Sequence, residues 1–182
     1  MPGFKQWTTS PHSSVVRDNT LAFDSDLLKE AHAEWTRQAA GAIPPRKNFT
    51  PRIVRAFVGN VVVFERLEPS SYLIRLMGTR VAGVLGEMQG ETIEEALPSD
   101  IVRRWTLALD EVLLTRRPSR MVSTVSFDNL DYLEAEIFLA PLLDDKGQPT
   151  MVLVVVAFRA GVAKGPSLEE LVEHQNAQKG DK

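Results

Sequence analysis

Two glutamates, Glu134 and Glu136, stand two residues apart in a segment of alternating polarity. Both side chains therefore fall on one face of a strand. Buried, such a pair could serve general acid–base chemistry; exposed, it is a solvated sheet face, and the exposed reading is preferred. Arg75 lies between Ile74 and Leu76. It either anchors an anionic ligand or makes a salt bridge on the outer side of a sheet, the second being preferred. Trp105 either stacks on a ligand in a cavity or simply fills the core. His12, His32 and His174 do not cluster. His32 beside Glu30 or Glu34 reads as a solvated helix face rather than a metal site. Gly78, Gly83, Gly86 and Gly90 lack the lysine and close spacing of a phosphate loop and read as turns and caps. Arg103-Arg104 and Arg116-Arg117-x-x-Arg120 form a basic patch, either a docking point for an acidic partner or a solvated helix end. No His-Glu-x-x-His or Gly-x-Ser-x-Gly run occurs.

The composition narrows the chemistry further. The chain has 182 residues, 43% hydrophobic and 25% charged, which fits one globular domain with short tails. Cysteine is absent. Disulfides, thiolate metal sites, cysteine nucleophiles and cysteinyl cofactor adducts are thereby excluded. A net charge of −3 argues against general nucleic-acid binding. The longest apolar run, Met151 to Phe158, has the length of a strand, well short of the ~18 residues of a membrane span. The N-terminus lacks a signal-peptide layout, so a cytoplasmic protein away from membranes is expected.

The elements that must position these residues follow from periodicity. Residues 1–23 show no period and read as a polar arm. Residues 24–41 predict a helix capped by Asp24 or Ser25, with Leu28, Ala31, Trp35 and Ala39 on one face, ended by Gly41 and Pro44-Pro45. Strands at 58–66 and 72–77 form a hairpin. Short helical turns fill 79–98, with Thr92 and Glu95 as a capping box. A long helix runs from Ser99 to about Arg117, presenting Ile101, Trp105, Ala108, Leu109 and Val112. Three strands follow at 120–127, 132–142 and 150–159. On the middle one Leu133, Ala135, Ile137 and Leu139 share a face. The last is apolar on both faces and so needs cover on both. The single domain spans 24–160, and the tail 161–182 carries a short helix with Ser167 and Glu170 as its capping box and Leu168, Leu171 and Val172 as its apolar face.

Five strands with helices inserted after the second make an α+β order. The local residues resemble a family of stand-alone bacterial PAS-domain proteins. Trp35 precedes Ile43-Pro44-Pro45-Arg46-Lys47-Asn48-Phe49-Thr50-Pro51, similar to that family's Ile-Pro-x-Arg-x-x-Phe-x-Pro. Tyr72-Leu73-Ile74-Arg75-Leu76-Met77-Gly78-Thr79 resembles its Tyr-x-x-Arg-Leu-x-Gly-Thr, and Gly86, Gly90 and Pro141-Leu142 fall in its order. The resemblance spans roughly Leu28 to Phe158. It implies a PAS-like five-stranded antiparallel sheet with helices over one face and an N-terminal helix. It also implies a non-catalytic sensory or regulatory module, a homodimer, and output through a downstream signalling protein.

On this fold the candidate cavity is lined by Ile74, Leu76, Val81, Leu85, Trp105, Leu109, Ile137, Leu139 and Val155, with Arg75 as a polar anchor. Leu28, Ala31, Trp35, Val154 and Val156 are the candidates for a dimer or partner surface. The cofactor is left unnamed. The light-driven cysteinyl–flavin adduct is excluded, and the long helix lacks the histidine that haem-binding members use. Two alternatives stand beside the sensor: a small enzyme with a conical pocket of the ketosteroid-isomerase kind, and a ligand-free dimeric adaptor.

Overall fold

The computed structural model describes residues 15–18, 20–127 and 130–160. The short helix expected in the 161–182 tail, the turn expected at 128–129, His12 and His174 lie outside the described residues. A six-stranded antiparallel sheet has the order β1-β4-β5-β6-β2-β3. Its strands are β1 (Val15–Asp18), β2 (Val61–Glu68), β3 (Ser71–Met77), β4 (Ser119–Phe127), β5 (Leu130–Leu142) and β6 (Met151–Ala160). The five expected strands are all present. The sixth, β1, forms inside the segment read as a polar arm and pairs with the free edge of β4, Val16 opposite Val122. Four residues are too few to show a period, and what holds them is the row of unpaired backbone groups on that edge.

Helices α2 (Thr79–Leu85), α3 (Ile93–Ala96) and α4 (Ser99–Thr115) lie over one face, here called the inner face. Helix α1 (Asp26–Ala39) lies over the other. The α3 capping box forms as its sequence predicts, the Glu95 carboxylate accepting the Thr92 amide at 2.9 Å. Ser99 starts α4 rather than capping it; Pro98 holds the cap position, and Arg116, in the left-handed region at φ 57°, ends the helix.

Two apolar clusters sandwich the sheet. On the inner side Val152, Val154 and Val156 of β6 meet Leu109 and Val112 of α4. On the outer side Leu153, Val155 and Ala157 meet Leu28, Ala31 and Trp35 of α1. Strand β6 is thus covered on both faces, as its sequence demands.

A bulge decides where β3 points. Val63 pairs with Leu76 but Phe64 pairs with Ile74, which leaves Arg75 as the extra residue. The bulge breaks the alternation. Ile74 therefore joins the inner cluster and Leu76 packs on the outer one.

Gly78 follows β3 in a crowded place. Its amide donates to the Val61 carbonyl at 2.7 Å. A Cβ there would stand 2.5 Å from the Gly59 carbonyl oxygen. The glycine of the Gly-Thr motif is therefore required by close backbone approach.

Candidate functional site

The inner face gathers most of the proposed cavity residues. Ile74, Val81, Leu109, Ile137 and Leu139 are buried in one cluster, with Leu85 and Trp105 partly buried against it. Trp105 packs on Phe64 with ring centroids 5.5 Å apart. Two of the expected residues lie elsewhere. Leu76 is turned away by the bulge, and Val155 alternates to the outer face beside Val154 and Val156. Arg75 does not anchor the cavity. It is exposed and ion-paired with Glu65 at 3.0 Å, the surface salt bridge preferred from sequence.

The proposed partner surface is also redistributed. Val154 and Val156 face the inner core. Leu28, Ala31 and Trp35 are buried within the chain, so α1 spends its apolar face on its own sheet. The Trp35 indole Nε1–H donates to the Pro141 carbonyl at 3.0 Å. The Pro44-Pro45-Arg46 segment is stitched to the same strand end: the Arg46 amide donates to the Leu143 carbonyl at 2.9 Å, and the Leu143 amide to that of Pro44 at 3.0 Å. Motifs far apart in sequence meet at the end of β5.

The largest departure from the sequence reading is Glu136. It is 0% exposed, whereas Glu134 on the same strand face stays partly exposed. Its Oε1 accepts the Asp24 amide and its Oε2 the Ser25 amide, both at 2.9 Å. The Nε of Arg120, on β4, donates to Oε1 at 2.7 Å. Burial alone pushes a carboxyl up. Here the two amides and the guanidinium more than offset it and hold Glu136 below the usual carboxylate range. Ser25 takes the cap position of α1 without a side-chain cap bond. The carboxylate from the sheet instead secures the chain where it enters the helix.

The remaining charges form a ring around this contact. Asp24 lies 3.5 Å from Arg120 and 3.4 Å from Arg159, and Arg159 pairs with Glu134 at 3.1 Å. The Arg159 Nε is buried without a partner. Sequence missed this cluster because its members come from β4, β5, β6 and the α1 entrance. The one available signal was an acidic residue in the middle of a long strand flanked by apolar segments.

His32 also departs from a solvated face. It is half-buried, its ring 5.8 Å from Phe23 and 5.6 Å from Phe138. Burial lowers its pKa. Glu30 is exposed, whereas Glu34 is buried and paired with Arg37 and Gln38. Among the described residues no group of three or more His, Asp or Glu side chains is placed to hold a metal ion.

On the inner side, the Tyr72 hydroxyl donates to Asp110 of α4 at 2.5 Å, and Ser70 donates to the same carboxylate at 3.1 Å. This ties the β2–β3 turn to the long helix. A separate open groove of about 470 Å³ lies between Leu21 and the C-terminal end of α4, bordered by Glu111, Val112, Arg117 and Pro118. No helix among the described residues is long and apolar enough to cross a membrane.

An antiparallel sheet with short helices and one long helix over its inner face places the chain in the α+β class. A family model described as a PAS domain matches residues 24–157. The chain belongs to this PAS-domain family. Solved structures to which the chain is similar include a light-oxygen-voltage domain studied with a flavin analogue (13% identity, 72% of this chain and 94% of that one, TM-score 0.43). The light-oxygen-voltage protein of Rhodobacter sphaeroides is 14% identical over 87% of this chain and 80% of that one, TM-score 0.42. VqmA of Vibrio cholera, solved with ligand and DNA, is 10% identical over 74% of this chain and 59% of that one, TM-score 0.48. No curated protein matches the chain.

Proposed function

We propose that this PAS domain is a non-catalytic, cytoplasmic regulatory module in which events on the inner face of the sheet alter the docking of α1 on the outer face. The observation that supports this is the shared use of β5 and β6. Ile137, Leu139, Val154 and Val156 face the α4 side, while Phe138, Leu153 and Val155, their direct neighbours in the chain, face the α1 side. A small molecule that displaced Trp105 or Leu109 would act on strands that α1 also grips. The ligand would favour one α1 arrangement by its differential affinity for the two states. Output then passes to a second copy or to a downstream protein through α1 and the surface it covers.

Native mass spectrometry and a visible absorption spectrum of the purified chain test this reading. A bound species at one per chain supports the sensor. A dimer without bound species, its core filled by its own side chains, supports the ligand-free adaptor. Turnover of a bound compound would overturn the non-catalytic reading.

A further inference from the structure

We propose that Glu136 is the release point of α1, a charge-based latch that lets the helix leave the sheet while the rest of the domain stays folded. The proposal rests on reading α1 as the responding element. The geometry carries it in three steps.

First, the apolar hold on α1 comes from one face. Leu28, Ala31 and Trp35 are buried there, and Leu27 and Ala39 pack partly buried against the same cluster. The rest of the outer face has its own cover, because Val54 and Phe57 from the following segment pack on the same cluster. Losing α1 therefore bares part of that face, while the inner cluster keeps its own cover from α2, α3 and α4.

Second, the charged hold on α1 is concentrated at its N-terminal end and on one carboxylate, whereas the Trp35–Pro141 bond towards the other end joins neutral groups. Glu136 receives the Asp24 and Ser25 amides and the Arg120 guanidinium. These are hydrogen bonds to a charged acceptor, which are stronger than neutral ones. The charged groups around it are Arg120 from β4, Asp24 and Lys29 from the α1 side, Glu134 from β5 and Arg159 from β6. Among these, Arg120 is the cation bonded to Glu136 itself. Removing the charge on Glu136 weakens three bonds together.

Third, a turn separates α1 from the next fixed point of the chain, where Pro44 and Arg46 bond to Leu143. Ala40 and Gly41 both adopt left-handed conformations, at φ 46° and 89°, in the turn that leaves α1. The helix contacts the domain through a single face and can leave as a unit.

The test is hydrogen exchange on the full chain, comparing the amides of Leu28–Ala39 with those of β5 and β6. Glu136→Gln keeps the shape and removes the charge. The expected result is exchange in α1 faster by about tenfold or more relative to the sheet, the scale of a lost charge-assisted bond. Ser25→Pro is the second probe, for the case that Glu136→Gln does not fold. Ser25 has φ −73°, which proline adopts, so this change removes one amide and leaves the Glu136–Arg120 pair in place. It should also loosen α1 selectively. Ser25→Ala, which removes a hydroxyl that makes no cap bond, should not. The latch is overturned if α1 keeps its exchange rate relative to the sheet, or if α1 and the sheet accelerate by one common factor. These outcomes are independent of whether a ligand is found, so the latch and the sensor reading fail separately.

Discussion

The indole of Trp35 and the carbonyl of Pro141 are joined by a 3.0 Å hydrogen bond that fixes the C-terminal half of α1 to the end of β5. Together with Glu136 at the other end of the helix, it defines how α1 lies on the sheet. Trp35→Phe keeps an aromatic ring but orphans a buried carbonyl. A loss of about 1–3 kcal/mol in unfolding free energy is expected from denaturant titration. A change below a few tenths would show that the bond contributes nothing.

Gly78 and Gly83 make a paired prediction. Gly78→Ala drives a Cβ against the Gly59 carbonyl, whereas Gly83, in α2, has open space around the same position. Gly78→Ala should lower stability by about 2 kcal/mol or more, through strain between two backbone segments. Gly83→Ala should raise it by about 0.5–1 kcal/mol, through helix propensity. Thermal and denaturant unfolding of both variants will separate them.

The pH dependence has two stages. His32 is held below its ordinary 6.5 by burial, so its contribution is present above that value and is lost as pH falls through its lowered folded pKa. Glu136 is held below its ordinary 4.5, so its contribution is present above 4.5 and is lost only at lower pH, as the folded carboxyl protonates. Unfolding free energy should fall first below about pH 6.5 and again below about pH 4.5. His32→Phe should remove much of the first stage and Glu136→Gln much of the second.

Tyr72 should be silent in an alkaline titration. Burial and its bond to Asp110 both push its phenol well above the ordinary 10.0. The chain has two tyrosines. Absorbance should show the folded protein and its Tyr72→Phe variant ionising the same number of phenols, whereas in denaturant the wild type should ionise one more than the variant.

The fold was largely legible because its signals are periodic. The α4 stripe, the doubly apolar β6 and the Thr92–Glu95 capping box each rest on spacing within one element; the last two appear as read, and the α4 stripe does so at Trp105, Ala108, Leu109 and Val112 but not at Ile101, in whose place Val102 packs on the cluster. The site was legible only in part, because its members are set by tertiary contacts. A bulge at Arg75 sent Leu76 to the wrong side of a strict alternation. Strand alternation placed Glu136 on the face opposite Ile137 correctly, yet could not tell that α1 would cover that face and turn a solvated carboxylate into a buried one. For the same reason the apolar face of α1 read as a partner surface: a helix stripe states that it must be covered and does not state by what.

The central claim is that the two faces of the sheet communicate through β5. Ile137→Val removes one methylene from the inner face, between Glu136 and Phe138 on the outer one. Its direct cost should be only about 0.5–1.5 kcal/mol. The indole N–H resonances of Trp105 and Trp35 report the inner face and the α1 anchor respectively. Both resonances should shift in Ile137→Val, and the α1 amides should exchange faster relative to β2. A shift confined to Trp105, with Trp35 and the α1 amides unchanged, would contradict that claim.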